Sequence, residues 1–304
     1  MAADVQTDLE EGSIEVSELT FDMVVGCGSV GEVSRGRYKG ELVAIKRIGS
    51  ERKQLYLDPE KLVELKKELA ILSHLASLNH PHLVRFIGHV TKPNLMLVVE
   101  FCGGSTLFEI LHQCDHIELS WAQCGEMSTQ IASALDYLHG AAPRIVHRDV
   151  KSANIMLAQP VYGPGDEPDI KVSDFGVSKV LAAQEGDGMA KMTLNVGTCA
   201  WMAPEVFVSD SYNEKVDVYS YGMVLFEIIC RREPFSEVPG EFIVSMVSSG
   251  ERPDYKEHAR PDCPELVIEL MKQCWAQDPE SRPPFSEVLM HLQQLDSEHG
   301  AKPL

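Results

Sequence analysis

The sequence predicts an α+β protein of two packed lobes, a small antiparallel sheet with one main helix and a larger, mostly helical part. Its 304 residues lie at the upper limit for a single hydrophobic core. Runs with strand character come early, at residues 33–46 and 95–101, and apolar residues at helical spacing follow. No apolar run approaches the roughly 20 residues that cross a bilayer, so no membrane insertion is expected.

The composition narrows the class of partners and the compartment. A formal net charge of −19 argues against a nucleic-acid-binding surface. Eight scattered cysteines, with no pair at metal-ligand spacing, indicate reduced thiols in a cytoplasmic or nuclear protein. Residues 1–19 are acidic, have little to bury and lack the basic start of a signal peptide. We therefore expect a flexible tail there, a domain over residues 20–295 and a second tail over residues 296–304.

A glycine-rich segment opens the domain with Gly-x-Gly-x-x-Gly spacing, which lets the backbone approach phosphate oxygens. It consists of Gly26, Cys27, Gly28, Ser29, Val30 and Gly31. Taken alone, the pattern also fits a dinucleotide-binding fold, in which a helix comes next. Here a strand and a turn come next, and a second strand ends in Lys46. This order favours a phosphate loop between two strands, with a lysine on the strand that follows.

Lys46 needs an acidic partner to hold it against the phosphates of a nucleotide. An Asp-Pro pair at residues 58–59 predicts a helix start, and leucines at helical spacing follow it. Glu68 lies beside that leucine stripe and is the predicted partner. Glu64, one turn earlier, faces similarly and is the alternative.

Residues 147–154 bring an acid, a cation and an amide into one short segment, and a second acid follows at Asp174. These groups suit the transfer of a phosphoryl group. Asp149 can accept a proton from an attacking hydroxyl, a role worth roughly 10²–10⁴-fold in rate. Lys151 can neutralise phosphate charge, and Asn154 with Asp174 can hold Mg²⁺, which prefers oxygen ligands.

The second half of the chain carries further local signals. Ser120 begins a capping box, and a buried helix face is expected after it; a second buried helix is expected over residues 222–230. Residues 159–168 are rich in proline and glycine and predict a long hairpin loop that leaves the site alone.

From about residue 20 to 295 the chain resembles a eukaryotic protein kinase. The motifs that carry the resemblance follow the order of that family's signature: the glycine loop, Lys46, residues 147–154, Asp-Phe-Gly at 174–176 and Ala-Pro-Glu at 203–205. Lys151 together with Thr198 resembles serine/threonine kinases. Residues 197–205 and the Cys-Trp pair at 274–275 are similar to the tyrosine-kinase-like group, which includes the Raf and mixed-lineage kinases.

The resemblance implies the bilobal protein kinase fold, with an N-lobe over residues 20–101, a C-lobe over residues 102–295, and ATP with Mg²⁺ bound in a cleft. It implies transfer of the γ-phosphoryl group of ATP to serine or threonine hydroxyls of protein substrates, in signalling. The implied catalytic residues are Asp149, Lys151, Lys46 and Glu68. The implied nucleotide contacts, besides the glycine loop, are Val33, Ala44, Lys46, Val99, Glu100, Cys102 and Met156. His147 is implied to be a packing residue and not the base. A Glu205–Arg282 pair and backbone capping by Asp217 are implied to have structural roles.

The polar stretch after the Asp-Phe-Gly segment is expected to be an activation segment controlled by phosphorylation. Arg148, beside Asp149, offers a cation for the phosphate. Thr193 is the first candidate phosphosite, followed by Ser178 and Thr198, although Thr198 has a competing structural role beside the catalytic loop. The modification would come from an upstream kinase or from trans-autophosphorylation.

Three alternatives stay open. A pseudokinase scaffold is disfavoured because the predicted catalytic and metal-binding residues are all present. A small-molecule phosphotransferase is disfavoured because a full activation segment and the Ala-Pro-Glu motif indicate a protein substrate. Dual specificity, towards tyrosine as well as serine and threonine, is the third alternative.

Overall fold

A computed structural model of the chain describes residues 12–28, 31–47, 79–174, 179–181, 196–209 and 212–299. The chain divides into two compact units, Met1–Gly103 and Gly104–Leu304. The division falls close to the predicted lobe boundary after residue 101, but the domain limits themselves stay predictions. No described helix has both the length and the apolar character needed to cross a membrane.

The first unit contains an antiparallel sheet in the part of the chain that the structure describes. A short 3-10 helix, Val16–Glu18, precedes it. The strands are β1 (Leu19–Gly28), β2 (Gly31–Tyr38), β3 (Glu41–Arg47), β4 (Phe86–Val90) and β5 (Met96–Glu100), and they lie in the order β1-β2-β3-β5-β4. This confirms the predicted sheet of the first half. The predicted main helix of this lobe, around residues 58–72, lies outside the described residues.

Alternation along β3 and β5 gives this sheet one apolar face. Val43, Ile45 and Val98 are buried in a core cluster. The residues next to them in sequence, among them Ala44 and Val99, are only partly buried. Because successive side chains of a strand point to opposite faces, the sheet packs one face into the core and leaves the other more open.

The N-terminal edge of the first unit corrects the predicted length of the acidic tail. Ile14 is buried in the same core cluster, and its N–H donates to the His89 carbonyl at 2.8 Å. The His89 N–H donates in turn to the Gly12 carbonyl at 2.9 Å. Residues 12–19 therefore belong to the folded unit, since one apolar side chain and a pair of backbone bonds attach them to the edge of β4. The sequence prediction weighed the surrounding acids and missed this anchor.

The second unit is mostly helical, as predicted. Its helices are α1 (Leu107–His112), α2 (Trp121–Gly140), α3 (Glu205–Val208), α4 (Lys215–Cys230), α5 (Gly240–Ser248), α6 (Glu265–Cys274) and α7 (Phe285–His299). Short 3-10 helices lie at Ser152–Asn154, Val196–Trp201 and Pro279–Ser281. The described residues of this unit also form two small antiparallel pairs: β6 (Arg144–Val146) with β9 (Lys179–Leu181), and β7 (Ile155–Leu157) with β8 (Ile170–Val172).

Helices α2 and α4 form the interior of this unit. The Ser120 and Gln123 side chains make the predicted reciprocal capping box at the start of α2. The predicted apolar face of α2 is completely buried; it consists of Met127, Ile131, Leu135 and Leu138. Residues of α4 from Val216 to Cys230 are all buried, which confirms the predicted buried helix. Helix α2 leads into β6 and so delivers the chain to residues 147–154.

The loop between β7 and β8 is the predicted hairpin connection, and it is attached to α2. The Gln123 side-chain amide donates to the carbonyls of Gly163 and Asp166, both at 2.8 Å. The Asp166 carboxylate accepts the backbone N–H of Tyr162 at 2.7 Å. These bonds hold the loop on the outside of α2 and leave the Tyr162 side chain exposed.

Candidate active site

The register of the first sheet brings several predicted nucleotide-binding residues to one face. Val33 of β2 lies opposite Lys46 of β3, and Ala44 of β3 lies opposite Val99 of β5. Residues directly opposite in an antiparallel pair share a face, and so do residues two apart in one strand. Val33, Ala44, Lys46 and Val99 therefore lie together on the face away from the apolar core. All four are partly buried.

The glycine loop is the turn of the β1–β2 hairpin, as its sequence predicted. Gly28 and Gly31 are opposite each other at the end of the two strands. Ser29 and Val30, between them in the sequence, lie outside the described residues, and so do Glu68 and its alternative Glu64. The choice of an acidic partner for Lys46 therefore stays a prediction.

The hydrogen bonds at the end of β5 limit which backbone groups there could contact the adenine of the predicted ATP. The Glu100 N–H donates to the Arg85 carbonyl at 2.9 Å, and the Glu100 carboxylate accepts the Arg85 N–H at 2.7 Å. A backbone N–H makes one strong hydrogen bond, so of the two backbone groups of Glu100 only the carbonyl could contact adenine. Cys102 follows in irregular backbone and is partly buried. Met156, in the second unit, is partly buried on β7.

Asp149, Lys151 and Asn154 form one bonded cluster in the second unit. Lys151 Nζ lies 3.0 Å from both carboxylate oxygens of Asp149. The Asn154 side-chain amide donates to the Asp149 backbone carbonyl and to its carboxylate, both at 2.8 Å. The Asp149 and Lys151 side chains are 13% and 19% exposed, so the carboxylate is shielded but reachable. A fixed, partly accessible carboxylate beside a cation suits proton acceptance from a hydroxyl.

Asn154 also connects this cluster to Asp174. Its backbone carbonyl accepts both the N–H of Ser173, at 2.8 Å, and the Ser173 hydroxyl, at 2.9 Å. Asp174 follows directly, with a left-handed φ of 66°. The Asn154 amide nitrogen is engaged by Asp149, which leaves its side-chain oxygen for a cation. An amide oxygen and a carboxylate are hard donors of the kind that Mg²⁺ prefers, so the residue types present fit that ion.

His147 has no capacity left for catalysis. It is fully buried; its Nε2 donates to the Ser173 carbonyl at 2.9 Å, and its Nδ1 accepts the Asp149 N–H at 3.3 Å. Both ring nitrogens therefore hold backbone on either side of the cluster. This agrees with the packing role expected from the sequence.

Asp217 of α4 holds the backbone of residues 147–148 in place through hydrogen bonds. Its carboxylate accepts the N–H groups of His147, at 2.8 Å, and Arg148, at 2.7 Å, as well as His139 Nε2 at 2.8 Å. Burial by itself raises the pKa of Asp217, but the His139 and Arg148 hydrogen bonds and the nearby imidazoles outweigh it and lower that pKa. The carboxylate therefore stays ionised and caps the left-handed turn at Arg148, whose φ is 68°.

The family model described as protein tyrosine and serine/threonine kinase matches residues 19–292 of the chain. The chain belongs to the protein kinase family. Protein kinase domains generally use ATP and a divalent cation. It confirms the predicted family and the bilobal α+β fold class.

Several curated kinases are similar to this chain over nearly all of its length. The dual specificity protein kinase splA of Dictyostelium discoideum is 35% identical over 95% of this chain and 12% of its own length. The serine/threonine-protein kinase STY17 of Arabidopsis thaliana is 34% identical over 98% of this chain and 48% of its own. The mitogen-activated protein kinase kinase kinase 7 of Bos taurus is 32% identical over 93% and 44%. The kinase chain thus spans less than half of these relatives, and the last two are of the predicted tyrosine-kinase-like group.

The kinase holds its Ala-Pro-Glu segment through the predicted Glu205–Arg282 pair. Arg282 is 1% exposed, and its guanidinium contacts the two oxygens of the Glu205 carboxylate at 2.6 and 2.9 Å. The same guanidinium donates to the carbonyls of Ala276 and Lys215 at 2.8 and 3.0 Å. A buried charge with this many acceptors fixes the end of the activation segment to the helical core.

Glu227 is a buried residue that connects separate segments near the site, and the sequence alone did not assign it to the site. It is fully buried on α4, and its carboxylate accepts the Ser152 hydroxyl at 2.5 Å and Trp201 Nε1–H at 2.8 Å. His112 Nε2 lies 2.9 Å from the same carboxylate. Glu227 therefore joins the residue after Lys151 to the segment before Ala-Pro-Glu. Its sequence signal was an acidic residue inside an otherwise apolar run.

The side chains of the three candidate phosphosites lie outside the part of the chain that the structure describes. Thr193 and Ser178 lie outside the described residues. Thr198 lies within the 3-10 helix Val196–Trp201, but its side chain is outside the described part. All three stay predictions.

Proposed function

We propose that this chain is an ATP-dependent serine/threonine protein kinase. The observation that carries the proposal is the bonded cluster of Asp149, Lys151 and Asn154, with Asp174 attached through Ser173. Relatives over 93% or more of the chain are named serine/threonine kinases, which supports serine and threonine as acceptors. The whole protein's substrates are part of this proposal.

In the proposed reaction, Asp149 accepts the proton of the attacking serine or threonine hydroxyl. Lys151, 3.0 Å from that carboxylate, lies where it can stabilise negative charge on the transferred phosphoryl group. Asn154 and Asp174 would hold Mg²⁺, which supplies charge neutralisation on the phosphate oxygens when bound. Lys46 would orient the α- and β-phosphates with Glu68, while the glycine loop, Val33, Ala44, Val99, Glu100, Cys102 and Met156 line the nucleotide site.

The proposal includes control by phosphorylation of the activation segment, at Thr193 first and at Ser178 or Thr198 otherwise. It is supported by Arg148, whose guanidinium has no carboxylate partner in the part of the chain that the structure describes. An upstream kinase or trans-autophosphorylation would add the phosphate in a signalling pathway. We place the protein in the cytoplasm or nucleus, because the cysteines whose side chains are described are free thiols.

Dual specificity is a second candidate, favoured by the name of one relative, a dual specificity protein kinase. A panel of peptides that differ only in a Ser, Thr or Tyr acceptor, incubated with γ-labelled ATP and Mg²⁺, separates the possibilities. The proposal predicts label on the Ser and Thr peptides; label on all three indicates dual specificity. Small alcohols and aminoglycosides belong in the same panel, because label on them alone would contradict a protein substrate.

A further inference from the structure

His112 lies between a surface cavity and the buried carboxylate of Glu227. The cavity, of about 400 Å³, belongs to the second unit, and its lining includes His112, Arg231 and the exposed Ser236. Glu227 does not line the cavity; it is completely buried, with its carboxylate 2.9 Å from Nε2 of His112. The imidazole, whose side chain is 8% exposed, therefore separates the carboxylate from the cavity.

The Glu227 carboxylate accepts three side-chain donors in the described part of the chain. The Ser152 hydroxyl and His112 Nε2 share one oxygen, and Trp201 Nε1–H donates to the other. A carboxylate only accepts hydrogen bonds, so Nε2 carries the proton in this contact. Because a buried carboxylate that loses a donor is costly, each of the three bonds matters. Of the three donors, only His112 lines the cavity.

Helix α4 holds His112 in place at the end of α1. Arg231, which ends α4 with a left-handed φ of 49°, donates from its guanidinium to four backbone carbonyls in and just after α1. These carbonyls belong to Ile110, Leu111, Cys114 and Ile117. The Phe108 ring packs against the imidazole, with ring centroids 4.8 Å apart. The same helix thus carries Glu227 and fixes the end of α1 that presents His112 to it.

Ser152 connects this arrangement to the proposed catalytic residues. It follows Lys151 directly and begins the 3-10 helix Ser152–Asn154, against which α1 packs. The Asn154 amide donates to the Asp149 carboxylate, so a shift of this short helix would move the proposed base as well. A misplacement of about 1 Å can cost roughly 100-fold in rate.

We propose that His112 is a positioning residue for phosphoryl transfer. Its Nε2–H holds the Glu227 carboxylate against the Ser152 hydroxyl, and this bond keeps residues 151–154 in place. The inference rests on the proposed function, because transfer is the step that this position serves. Without the imidazole, water from the cavity would compete with Ser152 for the carboxylate, and the segment would lose a fixed attachment.

The first test compares His112→Leu, which removes the donor, with His112→Gln, whose side-chain amide can donate from near the position of Nε2. In the leucine variant kcat on a serine peptide should fall about ten- to a hundred-fold. Its KM for ATP should stay unchanged, because nearly all predicted nucleotide contacts lie in the first unit. The glutamine variant should keep most of the wild-type kcat. His116→Leu, at an exposed histidine just after α1, is the matched control and should behave as wild type.

The second test restores the ring chemically. His112→Ala leaves a hole that is continuous with the cavity, so free imidazole can enter from solvent and donate to Glu227. Imidazole should raise kcat of the alanine variant several-fold and saturably. It should leave wild type and His112→Leu unchanged, because their side chains fill the hole. All rates are measured at a temperature at which each variant is folded, so a role in folding alone would give no response to imidazole.

Three results would overturn the inference. The first is a wild-type kcat in the folded His112→Leu enzyme. The second is a glutamine variant that loses as much activity or stability as the leucine variant, because the donor would then not matter. The third is an alanine variant whose lost activity imidazole does not restore. Absence of any transfer by wild type would instead overturn the proposed function.

Discussion

Replacing Asp217 by asparagine removes one charge and keeps the shape of the side chain. The carboxylate accepts three donors, with His147 N–H and His139 Nε2 on one oxygen and the Arg148 N–H on the other. Asparagine can keep an oxygen towards only one side. If that side is the one with two donors, its NH₂ group faces the Arg148 N–H, and neither of these groups can accept.

The magnitude follows from these contacts. Leaving the buried Arg148 N–H without an acceptor costs about 1–3 kcal/mol, and the two remaining hydrogen bonds each weaken by about 1 kcal/mol when the charge is lost. The free energy of unfolding should therefore fall by roughly 3–5 kcal/mol, which lowers the melting temperature by about 6–15 °C. Because Asp149 follows Arg148 directly, its carboxylate should shift, and kcat should fall by about 100-fold.

Thermal unfolding and steady-state kinetics of Asp217→Asn measure both effects, with Asp262→Asn as the control. Asp262 is a surface carboxylate paired with Arg260, so its loss should leave the melting temperature and kcat close to wild type.

The stabilisation of the fold by Asp217 should also depend on pH. The pKa of Asp217 is lowered in the folded kinase, so this stabilisation is complete above the ordinary aspartate pKa of about 4 and is lost as the pH falls through the lowered value. The stability gap between wild type and Asp217→Asn should shrink in that acid range. A melting temperature and a kcat equal to those of wild type in Asp217→Asn at neutral pH would contradict this role of the carboxylate.

Three further changes test separate parts of the account. Lys46→Met should abolish transfer and keep the unfolding transition, because Lys46 lies on the sheet face away from the core; loss of the transition would make it structural. Glu205→Gln should cost about 3–5 kcal/mol in urea unfolding, because it leaves the buried charge of Arg282 uncompensated; an unchanged midpoint would contradict this. Gln123→Ala should speed amide exchange in the 159–168 loop and leave kcat unchanged, whereas a large fall in kcat would show that the loop influences the site.

The parts of the fold that the sequence predicted are those with local signals. The β1–β2 hairpin follows from glycines between two strand patterns, and α2 follows from its capping box and its apolar stripe. The tail was predicted too long, because one buried Ile14 outweighs the acids around it and composition does not show where a single side chain packs. The order of the chemical motifs was enough to predict the family, since each motif is short and contiguous.

The parts of the candidate site that the sequence did not predict depend on contacts between segments that are distant in the sequence. Glu227 contacts Ser152 and Trp201 across sequence separations that no periodicity reveals. Asp217 was predicted as a backbone cap because the family resemblance supplied that role, and the structure gives it its three donors. Residue types alone therefore indicated the chemistry. The side chains of α4 that hold residues 147–154 in place could be identified only from the packing of α4 against that segment.

The proposed mechanism depends above all on the assignment of Asp149 as the base of a phosphoryl transfer to protein hydroxyls. It is tested most directly by the single-turnover rate of γ-phosphoryl transfer to a serine peptide in wild type and Asp149→Asn, with ATP binding measured alongside. Asparagine keeps the shape of the side chain but cannot take the proton, so the rate should fall by at least about 100-fold with ATP affinity unchanged. Equal transfer rates in the two enzymes would contradict the assignment.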